Sequence, residues 1–502
     1  MRHINSYASL TKRWSASRCG TLSHMVLLPL LAILQGCLFP AQFAAGGSTQ
    51  STSALTLQPS SANIQVGQNL QFAVGGNAPP APCSWRSSQP SILRYLGDQQ
   101  FQAAQPGTTQ VLVTCGALSG TANVVVASQQ PSGPIQITSG GTYSGNWNSD
   151  DPNTPAVTIR TDQPVTIQNS VITSRGTLIS VSGVKSGARV TIENVTGTAL
   201  DPGVKGLPRG TFVLATGFIS LVVKNCSIYG VSFGIKAVGA TPSTLQILNN
   251  SAKNLEDRAS DGHGGLLANR PVLGHFIILD KISASAGAEI AWNQVVQTIG
   301  TTSTEDVINI FQSQGSPEHP IWVHDNYMEG YSSTVTPSGY SGAGVISDGP
   351  SSPAVTAFVV FQANEIVHAA GTGVAIASGH DITAAANRIV SCGQDSSGAW
   401  FAVPSANAIY LWNFYKNGKF YNNTITGNKG GLVRPSAKGT PMAADIWANA
   451  PDMSDPGNSV NNNDFTDPCL TPGGVNLQAE DNERAYWAEK VSAAGELIGD
   501  QH

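Results

Sequence analysis

The hexapeptide Ile247-Leu-Asn-Asn250-Ser-Ala252 is the first of six copies of one pattern: an apolar residue, two variable residues, Asn, one variable residue and a mostly apolar residue. The others are Ile290-Ala-Trp-Asn293-Gln-Val295, Val323-His-Asp-Asn326-Tyr-Met328, Phe361-Gln-Ala-Asn364-Glu-Ile366, Ala384-Ala-Ala-Asn387-Arg-Ile389 and Phe420-Tyr-Asn-Asn423-Thr-Ile425. Two earlier copies carry Ser170 and Cys226 in the Asn slot. The copies recur every 23 to 43 residues or so, the spacing of architectures in which each repeat is one supersecondary unit. An apolar-x-x-Asn-x-apolar unit reads as a short strand that turns sharply at Asn, a residue tolerant of left-handed backbone. With repeat stacked on repeat, the Asn side chains are expected to hydrogen-bond one another along the stack, as Asn ladders do in cross-β assemblies.

A second strand type lies between the Asn strands: Thr177-Leu-Ile-Ser-Val181, Gly234-Ile-Lys-Ala-Val238, Asp306-Val-Ile-Asn-Ile310, Gly344-Val-Ile-Ser-Asp348, Gly373-Val-Ala-Ile-Ala377 and Ala408-Ile-Tyr-Leu-Trp412. The two types alternate, so each repeat contributes at least two parallel strands to two faces. Over 133–450 this alternation resembles the right-handed parallel β-helix of the pectin-lyase-like superfamily. The resemblance implies an all-β solenoid and leaves function open, because that scaffold carries lyases, hydrolases, epimerases, adhesins and phage tailspikes.

The flanks read differently. Residues 54–128 switch to a period of two with turn residues between short runs, the signature of a small β-sandwich. The proline before a Val-Gly-Gln turn, Ser84-Trp-Arg-Ser-Ser-Gln-Pro90 and Pro106-Gly107 before a strand resemble the bacterial Ig-like group 2 module, which implies a spacer or adhesive stalk. Trp85 is expected to be its buried aromatic. Residues 451–502 include a short amphipathic helix pattern, Asp481-Asn-Glu-Arg-Ala-Tyr-Trp-Ala-Glu-Lys-Val, expected to form a C-terminal cap over the last repeat.

At the other end, Arg2, Lys12, Arg13 and Arg18 precede an apolar stretch, Met25 to Leu34, too short to span a bilayer. The ending Leu34-Gln-Gly-Cys37 resembles a bacterial lipobox, which implies cleavage of a signal peptide over 1–36, lipidation of Cys37, and a flexible tether over 37–53. The expected location is the cell envelope, lipid-anchored at the outer membrane, or the extracellular space. Of seven cysteines, Cys83 and Cys115 are expected to pair in an oxidising compartment. Among Cys226, Cys392 and Cys469 one pair is open, with Cys226 better read as a small apolar residue in the ladder slot.

Charged residues make up 11% of the chain, and the net charge of −5 contains no basic run, so nucleic acid is not an expected partner. A monomer that meets a membrane only through its lipid is expected. Clustered carboxylates stand out in such a chain. Residues 257–348 collect them, together with His263, Arg270, His275 and Lys281. Thr304-Glu305-Asp306-Val-Ile-Asn309-Ile is the most specific piece, with an acidic pair entering a core strand; aligned on Gly234, Gly344 and Gly373, Asp306 takes the glycine slot, and Asp348 lies one repeat later. The segment is similar to the Asp-Asp-Cys-hydrophobic strand of polygalacturonase-type hydrolases. No Asn-Thr-Asp strand precedes it and no Arg-hydrophobic-Lys follows, so no roles are carried over.

Asp306, Glu305 and Asp348 are the candidate catalytic residues, acting as acid, base or nucleophile on a glycosidic bond. Tyr410 and Trp412, read as outward-facing, are candidates for stacking sugar rings, with Arg270, Lys281 and His263 as further substrate-binding candidates. The reading is a polysaccharide hydrolase. Two alternatives stay open: a lyase with Lys281 or Arg270 as base and Ca²⁺ held by Asp280, Asp306 and Asp325, or a glycan-binding adhesin without catalysis. No cofactor is required by the sequence, and Glu305 and Asp306 serving only loop amides or Ca²⁺ is the bland alternative.

Overall fold

A computed structural model describes residues 55–75, 82–127, 131–271, 273–332, 342–350, 352, 354–401 and 406–500. The signal, the tether and Cys37 lie outside the described residues. The protein is all-β, with parallel sheets dominating.

Residues 55–127 form sheets of four and three strands and a two-stranded pair around one core built on Leu57, Phe72, Leu93, Phe101, Val111, Val113, Val124 and Val126. A disulfide joins Cys83 to Cys115 across neighbouring antiparallel strands, Cys83–Ser87 and Gly107–Cys115. Trp85 is half-buried and packs against this core.

From Ile135 onward the chain alternates between two parallel sheets, of 11 and 20 strands among the described residues. Each pass lays one strand in the first sheet and, from Phe218 to Ser391, two short strands in the second, each beside its counterpart from the pass before. Val213, Ile235, Ile277, Ile308, Val345, Val374, Ile409 and Ile446 therefore stand in one register column. β-Branched residues suit that column because they pack well on a pleated surface, and full burial of each contributes about 1.5–3 kcal/mol. One apolar core joins both sheets from Ile137 to Ala444.

The Asn pattern marks the corner between the two short strands of a pass. Asn250, Asn293, Asn326, Asn364, Asn387, Asn428 and Asn463 form one ladder, each Nδ2 donating to the next Oδ1 at 2.9–3.0 Å. Asn326 illustrates the saturation: Oδ1 accepts Asn293 Nδ2 and the Asn293 amide, while Nδ2 also donates to the carbonyls of Ile290 and His324. Two details correct the sequence reading. The left-handed residue is the one before the ladder Asn: Asn249, Trp292, Asp325, Ala363, Ala386, Gly427 and Asn462 have φ between 50° and 66°. The sixth copy is also displaced, because Asn423 precedes the strand that pairs with His380–Ala385 and accepts from the Ile382 amide, leaving Asn428 to continue the ladder. Below Asn250, Cys226 fills the slot as a buried thiol, donating its amide to Asn250 Oδ1, and burial pushes that thiol well above its ordinary range.

The C-terminal segment divides its work. Met453, Val460 and Phe465 pack against the end of the core, as a cap would. A disulfide, Cys392–Cys469, then ties this end to the sheet. The helix Gln478–Ala494 runs back across the outer face of the 20-stranded sheet rather than over its end. Glu483 pairs with Arg388, Arg484 with Glu329, Trp487 stacks on Tyr327, and Lys490 pairs with Asp325. Beyond the helix, Glu496 accepts from Asn249 Nδ2 and the Asp500 amide donates to Ser227 Oγ.

Glu365 lies under this helix with a fully buried side chain, and burial together with the neighbouring Glu483 charge pushes its carboxyl up to about 8 despite Lys490 and Arg388. A raised carboxyl favours the fold while protonated, so its contribution is complete below the ordinary carboxylate range and is lost as pH rises through about 8. The melting temperature is therefore expected to fall between about pH 5 and 8, and Glu365→Gln is expected to flatten that slope. An unchanged slope in the variant would show that other groups carry it.

Candidate functional site

Three strands of the 11-stranded sheet build the site: His275–Asp280, Asp306–Phe311 and Ala343–Asp348. Their register pairs His275 with Asp306 and Asp306 with Ala343, and it aligns Asp280, Phe311 and Asp348 at the far end. This corrects the sequence alignment by one residue: Val307, not Asp306, stands beside Gly344, because Asp306 pairs with Ala343 and Ile308 with Val345. The shift brings Asp306 beside His275 and places Asn309 between two acids.

Asp306 is buried. Its Oδ1 accepts the Ala343 amide at 2.9 Å and its Oδ2 accepts Asn309 Nδ2 at 3.0 Å. The same Asn309 nitrogen donates to Asp348 Oδ2 at 3.1 Å. Asp348 Oδ1 in turn accepts the Tyr415 hydroxyl and the Gly349 amide, both at 2.7 Å. One amide nitrogen thus holds two carboxylates from strands a whole pass apart. Charge-assisted hydrogen bonds of this kind are about twice as strong as neutral ones, so the orientation of Asp348 is set before any ligand arrives.

Glu305, unlike Asp306, reaches solvent, with 18% of its side chain exposed. Partial burial, reinforced by the charges of Asp306, Asp348 and Asp257, pushes its carboxyl up to about 9. At neutral pH it carries a proton. Asp257, itself buried, is raised to about 6, chiefly by burial. His275 is driven the other way: burial holds it at about 3, and it is a neutral imidazole. Its Nδ1 lies 3.2 Å from the Asp306 carbonyl, which assigns that nitrogen the proton and leaves the Nε2 lone pair facing Glu305 Oε2 at 3.6 Å. His275 Nε2 or Nδ1, Glu305 and Asp306 bring one ligating atom each within 4.8 Å of one another, a set able to hold a metal ion.

An aromatic strip leads away from Asp348. Tyr415 contacts Phe414 at 5.1 Å between ring centroids, Phe414 contacts Trp412 at 5.1 Å, and Trp412 contacts Trp447 at 5.2 Å. Phe414 and Trp447 are 53% and 41% exposed, whereas Tyr410 is buried against Ile346, Ala375 and Trp412. The exposed stacking faces are thus Phe414 and Trp447, with Trp412 half-buried between them; Tyr410 supports the strip from beneath.

The remaining candidates lie elsewhere. Lys281, in left-handed backbone, pairs with Asp280 at 3.1 Å and sits over the Phe311 ring. His263 is exposed in the turn between Arg258–Ser260 and Leu266–Pro271, where Asp261 accepts its amide. Arg270 belongs to the second strand of that hairpin. Asp280, Asp306 and Asp325 do not converge on one ion: Asp280 pairs with Lys281, and Asp325 pairs with His324 and Lys490 on the other sheet. Sequence reasoning named His275 within the polar stretch without giving it a role and passed over Asn309, although both stand in the quoted stretches. Aligning the three six-residue strands from their last residue, Asp280, Phe311 and Asp348, would have put His275 and Asp306 in one column. No protein-family model matches the chain, no curated protein matches it, and no solved structure matches it.

Proposed function

We propose that this chain acts on an extracellular polysaccharide as a glycoside hydrolase, carried by a right-handed parallel β-helix behind an Ig-like domain. The observation that supports it best is a Glu305 kept protonated by burial and by charges that include that of Asp348, while Asp348 is held by Tyr415, Asn309 and the Gly349 amide at the end of an exposed aromatic strip. Two carboxyl groups in unlike environments are what glycosidic cleavage requires. Glu305 would donate its proton to the leaving oxygen, and Asp348 would act as base or nucleophile. Asp306 is a positioning residue in this reading: it lies beneath and fixes Asn309. Two disulfides among the described residues fit a secreted or envelope location.

Elimination would need a base beside the sugar. Lys281 is engaged by Asp280, which disfavours that alternative. A second reading rests on His275, Glu305 and Asp306: one imidazole and two carboxylates suit a first-row transition ion better than Ca²⁺. In that case Glu305 would be a ligand instead of an acid, and a chelator would abolish activity.

The test is product analysis after incubating the protein with neutral and acidic polysaccharides, following reducing ends and unsaturated uronates together in wild type and Asp348→Asn. Reducing ends without unsaturation, lost in the variant and indifferent to chelator, are expected. Unsaturated products would replace the reading with a lyase. Glycan retention without new chain ends would make the protein an adhesin.

A further inference from the structure

The charge around the site and the shape of the strip beside it bear on which glycan is taken. Four carboxyl groups, from Asp257, Glu305, Asp306 and Asp348, lie in one cluster, and the charges that act on Glu305 come from the other three. The cations around the cluster are already placed: Arg258, whose charge acts on Asp257, pairs with Glu256, Lys281 pairs with Asp280, and Lys236 sits over the Phe233 ring at 4.5 Å. Lys416, exposed and next to Tyr415 in sequence, adjoins the strip. The Tyr415 hydroxyl, Asn309 Nδ2 and the Gly349 amide already donate to Asp348, so these donors are not left for an incoming carboxylate. A uronate brought to this place would set its negative charge against the carboxylates of Asp257, Asp306 and Asp348, with Glu305 protonated among them, and like charges brought together in a partly buried site repel strongly.

The strip is of the opposite character. Trp447, Trp412, Phe414 and Tyr415 follow one another at 5.1–5.2 Å with no charged group inserted between the rings, and the exposed pair, Trp447 and Phe414, present the apolar ring surface itself. Such faces attract the apolar C–H face of an uncharged sugar through dispersion and burial of apolar area. The strip is continuous with the carboxyl pair through the Tyr415–Asp348 hydrogen bond. A chain seated on the rings therefore runs to Asp348, whose charge acts on Glu305.

We propose that the site takes an uncharged polysaccharide, held by stacking on Trp447 and Phe414, and discriminates against polyuronates by the acidic cluster. The inference rests on the reading of Asp348 and Glu305 as the glycan-cleaving pair, but its test is binding rather than cleavage. Hexasaccharides of glucose, xylose, mannose and N-acetylglucosamine, and of galacturonate and mannuronate, are titrated calorimetrically into the full chain at low and high salt.

At least one neutral series is expected to bind at least tenfold more tightly than either uronate, with little salt dependence. Trp447→Ala and Phe414→Ala are each expected to weaken it about tenfold or more while the melting temperature is held. Asp348→Asn, which removes one negative charge, is expected to narrow the gap between neutral and acidic ligands, whereas Glu305→Gln, which replaces a protonated carboxyl, is expected to leave it unchanged. Tighter binding of a uronate by wild type, weakened by salt and by Lys416→Ala, would overturn the inference, and so would the absence of binding to every neutral series. Neutral binding without cleavage leaves the inference standing and removes the hydrolase reading. Cleavage of a polyuronate does the reverse.

Discussion

Glu305→Gln is expected to lower hydrolysis of a natural glycan by roughly 10²–10⁴-fold, the contribution typical of a positioned general acid. The working form in wild type is the protonated one. Because Glu305 is raised to about 9, activity should persist through neutral pH and fall as pH rises through about 9. The variant should lose that alkaline limb along with the rate. A merely structural role is separated by the leaving group: an aryl glycoside that departs without protonation should restore much of the activity in Glu305→Gln. Asp348→Asn should not be rescued in this way. Equal loss on both substrates in both variants, with no change in the alkaline limb, would remove Glu305 from the acid role.

Asn326→Ala is expected to cost roughly 3–5 kcal/mol of stability, since it orphans several buried groups at about 1–3 kcal/mol each. The Asn293 amide and side chain lose their shared acceptor, and the carbonyls of Ile290 and His324 lose a donor. Asn293, Asn326 and Asn364 are all buried, so these groups are shielded from bulk solvent. Asn463→Ala, at the half-exposed end of the ladder, should cost less than half as much. Urea unfolding reads both. A cost below 1 kcal/mol for Asn326→Ala would mean that the ladder records the fold without stabilising it.

The parallel, all-β character of the chain is legible because it follows from local spacing. An Asn recurring beside apolar residues can satisfy its four hydrogen-bonding positions only against the same corner of the next pass. Even there, local reading erred in detail. Asn was credited with the left-handed turn, which in fact falls on its predecessor, so that Trp292, Ala363 and Ala386 hold positive φ while Asn keeps its side chain free for the ladder. Asn428 was hidden because Gly430 stands where the pattern asks for an apolar residue. Asn463, in Val460-Asn-Asn-Asn463-Asp-Phe465, fits the pattern in full and was passed over within a polar run.

The site was half legible. Scarcity of charge singled out Glu305, Asp306 and Asp348, and aromatic clustering singled out the region of Trp412 and Phe414. Which of these faces solvent was not readable, because exposure depends on what lies over a strand as well as on its alternation. Tyr410 and Asp306 are buried, while Phe414, Trp447 and Glu305 are accessible to differing degrees. The C-terminal helix shows the same limit: it was read as amphipathic, yet its apolar residues do not gather on one face, and Trp487 with the ion pairs to Arg388, Glu329 and Asp325 holds it against the sheet.

By itself, the sequence determined that this chain stacks parallel strands and concentrates its acids in one stretch, since both follow from residues near one another along the chain. The tertiary structure alone decided that Asn309 bridges Asp306 to Asp348, that His275 faces Glu305 and that Tyr415 reaches Asp348. Those partners stand up to 67 residues apart, and a one-residue slip of register in a parallel sheet would separate them.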